Sequence, residues 1–111
     1  MIAALAAISA AIAIGAGAFG AHGAASPQAA EWLRTGGQYQ LVHAVAILAL
    51  IRFPVGGGPL LALLAGSLLF AATLYVMALG GPRWLGAVTP VGGALMILGW
   101  LLAAWQLARQ G

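Results

Sequence analysis

The sequence contains no cysteine, no lysine and no aspartate. Without thiols there is no disulfide framework, no thiol nucleophile and no thiolate metal site. Charge is scarce altogether. Glu31, Arg34, Arg52, Arg83 and Arg109 are the only charged side chains in 111 residues, 5% of the chain. Soluble domains carry about 25%, so this chain cannot cover itself with a water-facing surface. Its net charge of +3 does not describe a nucleic-acid interface, because four scattered arginines make neither a patch nor a basic helix face. They read as markers of bilayer edges, with long stems that reach the headgroups.

What remains is 64% hydrophobic. The charged residues divide it into uncharged blocks at 1–30, 35–51, 53–82 and 84–108. A bilayer span needs about 20 apolar residues, so each block holds one helix and none holds two with a turn. The expectation is an all-α integral membrane protein of a single domain, 1–111, with four transmembrane helices in an antiparallel bundle. The helices are predicted near 2–22, 28–52, 60–80 and 87–108. Residues 1–22 lack the positively charged start of a signal peptide and are longer than its apolar region, so they read as the first span.

The first span has two faces. On a helix of about 3.6 residues per turn, Ala3, Ala6, Ala10, Ala13, Gly17, Gly20, Ala21 and Ala24 share one side. Leu5, Ile8, Ile12 and Phe19 share the other. In lipid, small residues mark helix contacts because they let backbones approach closely. The small stripe should therefore face neighbouring helices, with Gly17 and Gly20 at the contact and the large stripe toward lipid. Gly92, Met96, Gly99 and Ala103 make a similar narrow stripe on the fourth span. "SPQ", Ser26 to Gln28, breaks the chain and starts the second helix, with Ser26 as N-cap and Pro27 at its first position. "RFPVGGGP" and "GGPRW" are turns by their proline and glycine content. Pro90 falls in the first turn of the last helix, where proline costs little. Trp32, Trp84 and Trp105 lie near predicted helix ends, as aromatic belts do.

The polar residues divide unevenly along the membrane normal. His22, Glu31, Arg34, Gln38, Tyr39, Gln40, Thr73, Tyr75, Arg83 and Thr89 all project to the half nearest loops one–two and three–four. A polar group in hydrocarbon is costly without a partner, so a polar pocket is expected there. Its candidate members are His22, Glu31, Arg34, Tyr39, Gln40, His43, Tyr75 and Thr89. His43 lies nine residues from both Arg34 and Arg52, which puts it near the midplane, roughly 13 Å from each. An ionisable residue at that depth is a functional candidate; the structural reading makes it a neutral group that bonds to Tyr75, Gln40 or a backbone carbonyl, with Tyr75 as the favoured partner. Glu31 and Arg34, three apart on a helix, suit an ion pair. Two histidines and one glutamate make a thin ligand set without metal-site spacing, so no metal or other cofactor is expected. No nucleophile–base or carboxylate pair points to catalysis.

Four stretches resemble one family: "GAFGAHG", "TGGQYQLVHA", "LYVMALGG" and "LGAVTPVGGALMILGW". They are similar, in order and over nearly the whole chain, to the YgdD-like family, also filed as domain-of-unknown-function family 423, with transmembrane-protein-256-like eukaryotic relatives. The chain departs from the family at Ala24, where many relatives carry leucine. It departs again at Ala71, Ala72 and Thr73, where many carry serine and glycine. The resemblance implies a small multi-pass protein of the bacterial inner membrane and carries no catalytic residue. The functional expectation is a non-enzymatic bundle with membrane lipid as partner, self-association or a partner membrane protein, and no nucleic acid. The alternative is a small transporter or a proton- or ligand-handling protein using His43. Small multidrug-resistance transporters match in size only, since residues 1–30 hold no acidic side chain. Arginines split two against two across the membrane, so only the N-terminal amine tilts the orientation toward N-in, C-in.

Overall fold

The computed structural model describes residues 1–110, all of whose regular structure is helical. Helix α1 is Ile2–His22, α2 is Pro27–Leu50, α3 is Gly57–Ala78 and α4 is Thr89–Gln110. A short 3-10 segment, Arg83–Ala87, precedes α4. Helix α2 starts as its sequence dictates: the Ser26 Oγ accepts from the Ala29 N–H at 3.0 Å, and Pro27 follows in the first turn. Such a cap is worth about 1 kcal/mol.

The boundaries of α2, α3 and α4 differ from the sequence expectation, with α2 starting at Pro27 rather than 28 and α3 ending at Ala78 rather than 80. Helix α2 ends at Leu50 rather than 52, ahead of Pro54, whose ring disfavours a helical residue before it. Helix α3 begins at Gly57 rather than 60, because Pro59 sits in the first turn, where a missing N–H is no loss. Helix α4 begins at Thr89 and continues to Gln110, the residues before it being wound into the 3-10 segment. The start of α3 has no side-chain cap of its own, and Gln106 of α4 supplies one by accepting from the Gly56 N–H at 2.7 Å.

Each helix packs antiparallel on the next in sequence. Along α1 and α2, Ser9 meets Gln40 and Ala13 meets Gly37. Helix α1 also touches α3, whereas no Cα of α4 lies within 8 Å of one in α1 or α2. Helices α2 and α3 therefore form the middle of the bundle, with α1 flanking α2 and α4 flanking α3.

Bulk decides little in lipid, and the close contacts fall on glycines. A methyl group at Gly92 would lie 2.6 Å from the Phe70 nitrogen and 2.7 Å from the Gly66 oxygen, so α3 and α4 cross backbone on backbone. Gly92, Met96, Gly99 and Ala103 are all buried in that seam, on the stripe read from the sequence. Between α1 and α2 the tight positions are Gly20, whose added methyl would lie 3.0 Å from the Leu33 Cβ, and Gly37, 3.1 Å from the Ala13 oxygen. Ala21 departs from expectation and is exposed. Gly17 meets α2 through its backbone, whose nitrogen would lie 3.6 Å from a methyl group at Gly37, while its own missing side chain points into open space. Leu5, Ile8, Ile12 and Phe19 face outward as expected.

Three stretches are long and apolar enough to cross a membrane: α1, α3 and Arg83–Gln110. Helix α2 has the length, and its polar residues make it the exception.

Candidate functional site

Polar side chains inside the helices form three separate sets. The first joins α1, α2 and α3. The Tyr75 hydroxyl donates to Gln40 Oε1 at 2.5 Å, and Gln40 Nε2 donates to Ser9 Oγ at 3.0 Å. Gln40 and Ser9 are each 2% exposed. Gly36, one turn before Gln40 and on the same face, makes room for the tyrosine ring. A methyl group there would lie 2.8 Å from it.

The second set joins α2 to α4. His43 is 6% exposed. Its Nδ1 lies 2.7 Å from the Tyr39 carbonyl, and the Trp100 Nε1–H donates to Nε2 at 3.0 Å. An indole N–H only donates and a carbonyl only accepts. The ring is therefore in the Nδ1–H tautomer, with both nitrogens engaged. The two rings meet edge to face, 6.0 Å apart at 63°. Tyr39 stacks obliquely on Phe70 of α3, with centroids 4.8 Å apart.

The third set ties α3 to the start of α4. The Thr73 and Thr89 hydroxyls are 2.6 Å apart, and each also reaches a carbonyl one turn back, Phe70 and Leu85. Among the described residues, every buried side-chain nitrogen and oxygen has a hydrogen-bond partner.

The eight residues grouped by the sequence reading are thus not one cluster. Gln40 and Tyr75 meet. Tyr39 and His43 meet through the Tyr39 backbone. Thr89 pairs with Thr73 elsewhere. His22 is exposed at the end of α1, and Glu31 and Arg34 form an exposed ion pair on α2. Tyr75, the partner expected for His43, bonds Gln40 instead, and Trp100 takes its place. Tyr75 of α3 lies opposite Gly36, about two turns from the level of His43, and Gln40 intercepts its hydroxyl. Two participants went unassigned from sequence, and each left a signal. Ser9 is the one hydroxyl in an otherwise apolar first helix. Trp100 is the tryptophan far from any helix end, and an indole N–H at that depth needs an acceptor.

A cavity of about 460 Å³ opens at the end of the molecule where α1 meets α2 and α3 gives way to the 3-10 segment. Phe19, Ser26, Trp32, Met77, Gly80 and Arg83 are among its lining residues, and none of the eight expected residues is. The Arg83 guanidinium lies 5.8 Å from the Trp32 ring centroid. A second hollow, about 370 Å³, runs between α2 and α4 over Tyr39, His43, Phe70, Met96 and Trp100. The internal sets are equipped to hold helices in register. The end cavity is the place that joins an apolar floor to an unpaired cation. Among the described residues no group of three histidine or acidic side chains is gathered as a metal site would need.

Comparison with known proteins adds the family. Residues 16–93 match the family described as protein of unknown function (DUF423). The chain is 39% identical to the UPF0382 inner membrane protein YgdD of Escherichia coli strain K12, over 96% of this chain and 90% of the relative. It is 37% identical to a UPF0382 membrane protein of Staphylococcus saprophyticus, over 88% of each. It is 35% identical to the UPF0382 membrane protein YwdK of Bacillus subtilis, also over 88% of each. No solved structure matches the chain.

Proposed function

Since the chain belongs to the DUF423 family of membrane proteins, we propose that it is a four-span, non-enzymatic helical bundle of the bacterial inner membrane that works by binding lipid at its surface. Topology supports the fourth span. Helices α1 and α3 run in the same direction, so a chain crossing twice that way has to cross back. Helix α2, packed along both, is the segment between them. Its Gln40 and His43 turn inward, while Val42, Val45 and Leu48 face out. The second half of α2 thus offers lipid an apolar surface, and the exposed polar residues Glu31, Arg34 and Gln38 lie in its first half. The inner-membrane placement follows the name of the Escherichia coli relative, and the N-terminal amine favours N-in, C-in.

The observation that carries the non-enzymatic reading is the saturation of the interior. Among the described residues, each buried side-chain nitrogen and oxygen is occupied by another group of the same chain, which supports a structural role for the internal polar groups. His43 in particular has both nitrogens engaged, which weighs against the proton-handling alternative. Organic extraction of the purified protein followed by mass spectrometry tests the reading. Phospholipid retained in stoichiometric amount is the expected result. A stoichiometric soluble metabolite in its place, or no bound lipid at all, contradicts it.

A further inference from the structure

The end cavity has a specific chemistry. We infer that it holds the phosphate headgroup of an anionic phospholipid, with Arg83 as the cation and Trp32 as the flanking wall. This rests on the lipid-binding reading above and narrows it to one site and one class of headgroup.

The argument starts from charge. Glu31 is the only acidic side chain in the sequence, and Arg34 occupies it. Among the described residues Arg83 has no carboxylate partner, which leaves its counter-charge to come from outside. The residue sits in the turn between α3 and α4, where a four-span chain meets the headgroups. Two tryptophans, Trp32 and the adjacent Trp84, mark the same level, as interfacial aromatics do. At that level phosphate is the abundant anion, and an arginine fork matches its oxygens in pairs.

The cavity is also built rather than left over. On one side the Phe19 ring folds back over the end of α1, into space that Gly23 leaves open. A methyl group at Gly23 would lie 2.7 Å from the ring. On the other side α3 ends in a tight turn that needs two glycines. Gly80 has φ +98°, a conformation that side chains rarely adopt, and a methyl at Gly81 would strike Val76 at 2.4 Å. That turn caps the end of α3. The Gly80 N–H donates to the Met77 oxygen at 3.1 Å and the Gly81 N–H to the Val76 oxygen at 2.8 Å. The Val76 and Met77 carbonyls near the end of α3 are thereby engaged. Phe19, Met77 and Leu79 then give the floor an apolar surface for the first carbons of acyl chains. The volume lies within the range of small-molecule sites, about 300–1,000 Å³.

Arg109 provides the control. It too lies over an indole, 4.2 Å from the Trp105 centroid, but it stands at the opposite end of the bundle and is no part of this cavity. The experiment is native mass spectrometry of delipidated protein titrated with phosphatidylglycerol or phosphatidylethanolamine, with helix content checked by circular dichroism. Wild type should retain phosphatidylglycerol in preference. Arg83→Gln should weaken that retention roughly fivefold, the loss expected for one interfacial charge. Arg83→Lys should keep most of it, and Arg109→Gln should match wild type. Millimolar inorganic phosphate should not displace the lipid, since a free ion makes no use of the apolar floor. If Arg83→Gln loses helix content, Trp32→Leu serves in its place and should weaken phosphatidylglycerol retention selectively. Equal retention of both lipids, equal loss in the Arg83 and Arg109 variants, or displacement by inorganic phosphate overturns the assignment. Co-purified lipid that is unaffected by Arg83→Gln removes this site and leaves the broader lipid-binding reading standing. A wild-type protein that carries no lipid removes both.

Discussion

Trp100 of α4 donates its indole N–H to Nε2 of His43 on α2, at 3.0 Å, across a pair of helices whose backbones never come close. This bond bridges the gap between α2 and α4 and fixes the histidine tautomer at the same time. Trp100→Phe should keep the ring's bulk and remove the donor. The expected cost is about 0.5–2 kcal/mol, the scale of interhelical hydrogen bonds in membranes. A double-mutant cycle with His43→Phe, read from unfolding in detergent, should show that the two substitutions do not add. Additive losses would mean the bond contributes nothing.

Gln40 is the hinge of the three-helix set, because it both accepts from Tyr75 and donates to Ser9. Gln40→Ala removes two bonds and opens a cavity, for a loss of about 2–4 kcal/mol. Ser9→Ala and Tyr75→Phe each remove one bond and little volume, so each should cost less than about 1.5 kcal/mol. Thermal unfolding of the three variants checks the order. Equal losses would show that Gln40 is not the shared member.

The glycines make a sharper contrast. Gly92 and Gly66 meet backbone to backbone, and backbone cannot step aside as a side chain does. Gly92→Ala should destabilise by about 1–3 kcal/mol and lower the folded yield. Gly17→Ala, in the same kind of small-residue stripe, should change stability by less than about 0.5 kcal/mol, because nothing lies within 4 Å of the added methyl. Comparable yields for the two variants would show that the α3–α4 crossing is looser than described.

The sequence disclosed the helices through its uncharged blocks and the α4 seam through its small-residue period, since both are one-dimensional patterns. The N-cap at Ser26 was equally legible. Pairing between helices was not. Nothing along the chain says that Tyr75 meets Gln40 instead of His43, or that the Gly17 backbone meets α2 at Gly37. Those facts depend on how far each helix is rotated about its own axis, and a small rotation hands a hydroxyl from one partner to the next. The candidate polar cluster failed to gather for the same reason. Sharing a half of the bilayer is not sharing a face. Arg83 was visible as an edge marker, but its cavity depends on the Phe19 ring and the Gly80–Gly81 turn, which meet only in three dimensions.

The account rests on α2 crossing the membrane, and the absence of cysteine makes that directly measurable. Single cysteines placed at Ala25, Phe53, Gly86 and Gln110, all exposed, each report alone. Labelling with a membrane-impermeant maleimide, in intact cells and in inverted vesicles, gives the side of each. Four spans place Ala25→Cys and Gly86→Cys on one side and Phe53→Cys and Gln110→Cys on the other. Ala25→Cys and Phe53→Cys reacting from the same side would mean that α2 lies along the surface, and would contradict the account.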